Sequence, residues 1–163
     1  MVTDHILCRG HEFVMTKTEG EALCRQIVEE ARDAIIFADR DGTIRLWNKG
    51  AESIFGYRAE EALGRSLDLI VPERFRGRHW DGYRRVMASG VTRYSEGLLA
   101  VPATGKDGRR ISLEFTISLL RGEDGEVAGA AAIVRDVTEA WQREKALKER
   151  VAARETRVSG LAE

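Results

Sequence analysis

Residues 111–119, ISLEFTISL, put Ile111, Leu113, Phe115, Ile117 and Leu119 on one side of an extended chain and Ser112, Glu114, Thr116 and Ser118 on the other. A period of two held this long is that of an antiparallel strand with one face buried and one face wet. Such a strand needs neighbours to take its backbone hydrogen bonds and a layer to cover its apolar face. That double requirement constrains the chain more than any other feature.

The neighbours are legible. The turns GKDGRR (105–110) and RGEDGEV (121–127) join the alternating run to a β-rich stretch on either side, and DAIIFADRDGTIRLWN (33–48) supplies two more around Asp41-Gly42. Pro102 lacks a backbone donor, which places its strand at an edge or at a bulge. The cover must come from the segments between Asn48 and Ser89. Asn48 is a candidate cap for KGAESIFGY, where Ala51, Ile54 and Phe55 recur at helical spacing. RAEEALG ends at Gly64, a helix stop. Pro72 suits the start of a further helix that carries RGRHWDGYRRV.

Helices are expected on both flanks. Residues 1–18 show no sustained period, although a more regular stretch begins at Met15, a candidate start. Residues 19–32 place Leu23, Ile27, Val28 and Ala31 at helical spacing. From Thr138 to residue 163 the chain is rich in helix formers. Ala140, Leu147, Val151, Val158 and Leu161 fall on one a/d frame, with Glu144 and Arg154 also on its seam, a weak coiled-coil pattern.

Composition removes several function classes. The net charge is −1 with both signs interspersed, and aromatics are only 7% of the chain, so neither nucleic-acid binding nor base stacking is expected. Cys8 and Cys24 form no metal-ligand pattern, and a reducing, cytoplasmic setting is the expectation. No apolar run is long enough to cross a bilayer, so no membrane partner is expected. There is no phosphate loop, nucleophile elbow or HExxH, and Glu52, Glu60 and Glu61 read as helix-surface carboxylates. An enzyme is not expected.

Four motifs in order, DAIIFADRDGTIRLWNKGAESIFGY, EALGRSLDLIVPE, GKDGRR and RDVTE, resemble the PAS domain, the sensory module of bacterial signalling proteins. The resemblance covers about residues 25–140 and implies an α+β fold. Its sheet has five antiparallel strands in the order 2-1-5-4-3, with short helices closing a niche on one face and flanking helices at both ends. The division it implies is an irregular segment (1–18), an N-terminal helix (19–32), the PAS domain (33–137) and a signalling helix (138–163). It further implies that Asp136 and Thr138 couple the last strand to that helix. The flanking helices are the expected surfaces of a homodimer, with Leu23, Ile27, Trp141 and Leu147 as contacts, and an effector domain or partner protein is the expected recipient of the signal.

Some PAS domains hold haem b through a histidine on the helix before the third strand, and His79 is the candidate axial ligand here. Against this, Leu99 stands where oxygen-sensing relatives carry an arginine, and a histidine at this place also packs or faces water in relatives that look haem-free. No resident cofactor is the primary expectation, with haem the alternative, and no metal site is expected apart from it. A flavin photoadduct is not expected, because the region that carries its cysteine reads RAEEALGRSL. His79, Tyr83, Val86 and Met87 share a helix face. Trp80 and Tyr83 do not share a stripe, so no aromatic cage is expected. Arg74, Arg76, Arg78, Arg84 and Arg85 read either as an anion or partner site or as a solvated face. A ligand-free protein–protein adaptor is a third reading of the whole chain.

Overall fold

The structure, a computed structural model, describes residues 16–92 and 99–159, the side chains of 152–159 excepted. Residues 1–15, with Met15 and most of the expected irregular segment, lie outside the described residues, as do 160–163.

The strands are β1 (Ala34–Asp39), β2 (Ile44–Trp47), β3 (Leu99–Thr104), β4 (Arg110–Arg121) and β5 (Val127–Asp136). They form one antiparallel sheet in the order β2-β1-β5-β4-β3, as the resemblance implies. Register decides which residues share a face. Ala34 lies opposite Val134, Ile36 opposite Ala132 and Trp47, Phe115 opposite Val134, and Ala103 opposite Ile111. All belong to the face that α2 (Lys49–Phe55), α3 (Ala59–Ala62), a 3-10 turn (Leu67–Leu69) and α4 (Glu73–Ser89) cover. Ile44, Phe55 and Ile111 are fully buried there, and the Trp47 and Phe55 rings meet at 5.3 Å.

Pro102 sits in edge strand β3, where a missing donor costs least. Its partner Ser112 turns its own N–H and C=O away from β3, so the Pro102 nitrogen faces outward. Two residues on, the Thr104 N–H donates to Ile70 O at 3.0 Å, which closes part of this edge.

The N-terminal helix, α1, spans Lys17–Glu30 and not 19–32. Thr16 and Glu19 form a reciprocal capping box that starts it earlier, and Ala31 turns to extended backbone and ends it. Helix α5 covers Thr138–Ser159.

One buried side chain joins α1, β1 and α2. Asn48, 0% exposed, accepts the N–H groups of Ile35 (2.8 Å) and Ala51 (2.9 Å) at Oδ1. Its Nδ2 donates to Val28 O at 2.8 Å and Asp33 O at 3.1 Å, with Ala31 O at 3.3 Å. The cap expected from sequence is present, and the same amide also holds the last turn of α1. Gly50 packs onto the Arg32 and Asp33 carbonyls so closely that a Cβ would collide with both. Only glycine lets α2 approach the linker this way.

Candidate functional site

Helix α4 is fastened to the β1–β2 hairpin by two aromatic residues. Trp80 lays its six-membered ring against Gly42, which has φ +77° in the turn and no room for a Cβ under the indole. The Trp80 indole N–H donates to Asp68 Oδ1 at 2.8 Å. The Tyr83 hydroxyl reaches Asp39 O at 2.5 Å and Ala38 O at 3.1 Å. Burial, and then the Asp39 carboxylate, push this phenol well above its ordinary pKa, so it stays a donor.

His79 lies beside both rings, 4.9 Å from Trp80 and 5.9 Å from Tyr83, and those two stand 5.6 Å apart edge to face. The rings meet edge to face or tilted, although Trp80 and Tyr83 read from sequence as lying on different stripes. Residues three apart on a helix are surface neighbours, and the turn between Trp80 and Tyr83 brings the rings together. With the Trp80 N–H and Tyr83 O–H both committed, the cluster is an anchor for α4.

His79 is the unsettled member. Its Nδ1 is buried and has no hydrogen-bond partner. Burial holds the imidazole below its ordinary pKa, more than the nearby Asp68 carboxylate restores, so it is neutral. A neutral imidazole is the protonation state that an iron ligand needs, and in that respect His79 fits haem. The inner sheet face is apolar and half covered. Leu99, Phe115, Ile117, Leu119 and Ala132 are only partly buried, and Val101 is 38% exposed although its register puts it on the covered face. Leu99 adds no polar group there.

The arginines of α4 form no common cradle. Arg76 donates to Asp68 O and Val71 O, Arg84 pairs with Asp81 at 2.8 Å, and Arg74 lies over the Phe75 ring. Arg78 and Arg85 are exposed.

Asp136 and Thr138 do come together where β5 gives way to α5. The Thr138 N–H donates to Asp136 Oδ1 at 2.9 Å. Thr138 Oγ1 accepts the Ser112 N–H at 2.9 Å, and the Val137 N–H donates to Ser112 O at 2.9 Å. The β4–β5 ladder thus continues past the last strand residue into the first helical one. Arg109 enlarges the junction: it lies 3.7 Å from Asp136 Oδ2 and donates to Ile54 O, in the last turn of α2, at 2.6 Å. Sequence reasoning missed Arg109, although it lies in the GKDGRR turn and nothing about its spacing names a partner in α2. Leu23, Ile27, Trp141 and Leu147 are exposed, Ile27 at 58% and Leu147 at 59%. Ile133, on the uncovered sheet face, is 53% exposed.

This arrangement has known counterparts. Residues 28–142 match the family described as the PAS fold. The chain is 33% identical over 131 residues to the sensor protein FixL of Bradyrhizobium diazoefficiens, covering 79% of this chain and 25% of that protein. It is 30% identical to the signal transduction histidine-protein kinase AtoS of Escherichia coli, covering 88% of this chain and 23% of that one. The oxygen sensor protein DosP of Escherichia coli is 26% identical over 68% of this chain and 14% of its own length. The chain spans about a quarter or less of these relatives. Among solved structures, the PAS domain of a protein from Colwellia psychrerythraea superposes with a TM-score of 0.64 at 24% identity, covering 73% of this chain and 98% of that one. An RNA-binding light-oxygen-voltage receptor superposes at 0.68 and 21% identity, covering 91% and 42%. At these identities the likeness is one of fold.

The lowered pKa of His79 has a signed consequence. The unfolded chain takes up its proton near pH 6.5, while the folded chain resists until a lower pH. Between those values the unfolded state binds more protons, so acidification below about pH 6.5 destabilises the fold. Urea unfolding from pH 7.5 to 5 should show stability falling, and His79→Phe should flatten that slope. An unchanged slope in the variant would contradict the burial argument.

Proposed function

The chain belongs to the PAS family across residues 28–142, and from that premise we propose that it is a sensory and dimerisation module of bacterial signal transduction. A small molecule or partner engages the half-covered inner face of the sheet. The resulting change in the sheet repositions Asp136 and Thr138, and α5 turns or shifts. The output passes to an effector domain or partner protein, a reading supported by the kinase name of one relative and by the greater length of both. Two copies pair through the flanking helices, with Leu23 and Ile27 on α1 and Trp141 and Leu147 on α5. The solvent exposure of these four side chains in a single copy supports that reading. The setting is the cytoplasm, and neither nucleic acid nor membrane is a partner; among the described residues no helix is long and apolar enough to cross a membrane. The domain itself is not catalytic.

The observation that carries the proposal is the pair of hydrogen bonds at Thr138. Its N–H is held by Asp136 and its hydroxyl holds the Ser112 N–H, so β4 cannot move without dragging on the first residue of α5. A ligand shifts this equilibrium only as far as its differential affinity for the two positions of the helix allows. Amide exchange in the first turn of α5 tests it. Thr138→Val should speed exchange there about fivefold, the factor that loss of one hydrogen bond of about 1 kcal/mol implies, while central β1 amides stay protected. Equal protection in variant and parent would refute the coupling.

Haem sensing is the second reading. It is supported by the lowered pKa of the His79 imidazole, by its buried Nδ1 without a hydrogen-bond partner, and by similarity to a protein named as an oxygen sensor. His79 would supply the axial nitrogen, and Leu99, Val101, Phe115 and Ile117 the apolar walls. Haem, when bound, supplies an iron centre for a diatomic gas or an electron. The chain's own contribution is to exclude water and keep the imidazole unprotonated. Adding haemin to purified protein should give a Soret band that His79→Ala abolishes. A spectrum equal to free haemin, or a band that survives the substitution, would remove this reading.

A further inference from the structure

Arg135 and Asp136 are consecutive in β5, so their side chains leave opposite faces of the sheet. Asp136 faces the covered side, where Arg109 connects it to α2. Arg135 faces the uncovered side and grips Asp33 with two parallel bonds, Nε to Oδ1 at 3.1 Å and a terminal nitrogen to Oδ2 at 2.6 Å. Fork-to-fork pairing of this kind fixes direction as well as distance. It also holds the Asp33 carboxyl below the usual carboxylate range, against a smaller opposing effect of burial.

The place of Asp33 gives the pair its meaning. It lies in the linker between α1 and β1, and its own carbonyl accepts from Asn48 Nδ2. That amide also holds Val28 O in the last turn of α1. Asp33 is therefore gripped twice: its backbone by the residue that anchors α1, its side chain by a residue three positions before α5. Ala34 and Val134 are register partners, so the exit of α1 and the approach to α5 share one end of the sheet. Among the described residues, no other ion pair joins the α1–β1 linker to β5.

We propose that Asp33 and Arg135 lock α1 to the root of α5, so that the module also relays movement arriving at α1 directly to α5, by a route that bypasses the niche. The domain then acts as an in-line coupler between what moves its first helix and what its last helix drives. The two inputs meet at adjacent residues. Arg135 carries the one from α1, and Asp136 carries the one from the inner face. This goes beyond the sensory reading and survives if no ligand binds the niche.

The test is the distance distribution between α1 and α5 in the 163-residue chain. Nitroxide labels go on exposed Cys24 and on Gln142→Cys, in a Cys8→Ser background, with excess unlabelled protein so that only distances within one chain are read. The parent should give one narrow distribution by pulsed electron resonance. Asp33→Asn and Arg135→Gln should each broaden it at least twofold, with thermal melts near that of the parent. The charge-reversed pair, Asp33→Arg with Arg135→Asp, should narrow it again. Unchanged widths in both single variants, or a reversed pair as broad as the singles, would overturn the relay.

Discussion

The buried amide of Asn48 is the constraint on which the rest of the architecture depends. A carboxamide taken wholly out of water must find partners for both ends, since each unpaired polar atom costs about 1–3 kcal/mol. Asn48 finds them on three separate elements: Ile35 in β1, Ala51 in α2, and Val28 in α1. Most described side chains of α1 face solvent. The helix is held at its last turn, and Leu23 and Ile27 on it are exposed. The same node sets the start of β1, and β1 sets the register of β5 through Ala34 and Val134. An effect at α1 is thereby placed within a few residues of the point where the chain leaves the sheet.

The sheet's two faces have different uses. On the covered face, α4 is pinned at one side by Trp80 against Gly42 and by Tyr83 on Asp39, while the positions near Val101 and Ile117 stay half open. On the bare face, Ile133 lies exposed beside the Arg135–Asp33 pair. Strand β5 contributes side chains to both faces and leads directly into α5.

The sheet was legible in the sequence because its information is local. Ile111 to Leu119 alternate, the turns are marked by glycine and aspartate, and Pro102 declares an edge. Asn48 was legible as a cap for the same reason, since Ala51 lies three residues away. Its bonds to α1 were not, because Val28 and Ala31 are distant in sequence and nothing in spacing points to them. Arg109 with Ile54, and Arg135 with Asp33, escaped for the same reason: the Arg135 pair spans 102 positions. The ring contacts around His79 rest on a separation of three, which makes Trp80 and Tyr83 helix neighbours but gives no sign of which rings will meet. The start of α1 could have been read correctly, since TKTE at 16–19 has the spacing of a capping box. What the sequence showed of the junction, Asp136 and Thr138, came from motif and order; their bonds to the backbone and to Ser112 came from the fold.

The most direct test of this account is the stability of Asn48→Ala, measured by urea unfolding together with amide exchange along α1. Truncation orphans two buried N–H groups and at least two carbonyls, so the account predicts a loss of about 2–4 kcal/mol and loss of protection in the last turn of α1. A variant within about 0.5 kcal/mol of the parent, with α1 still protected, would show that the flanking helix is held by something else and would contradict the central claim.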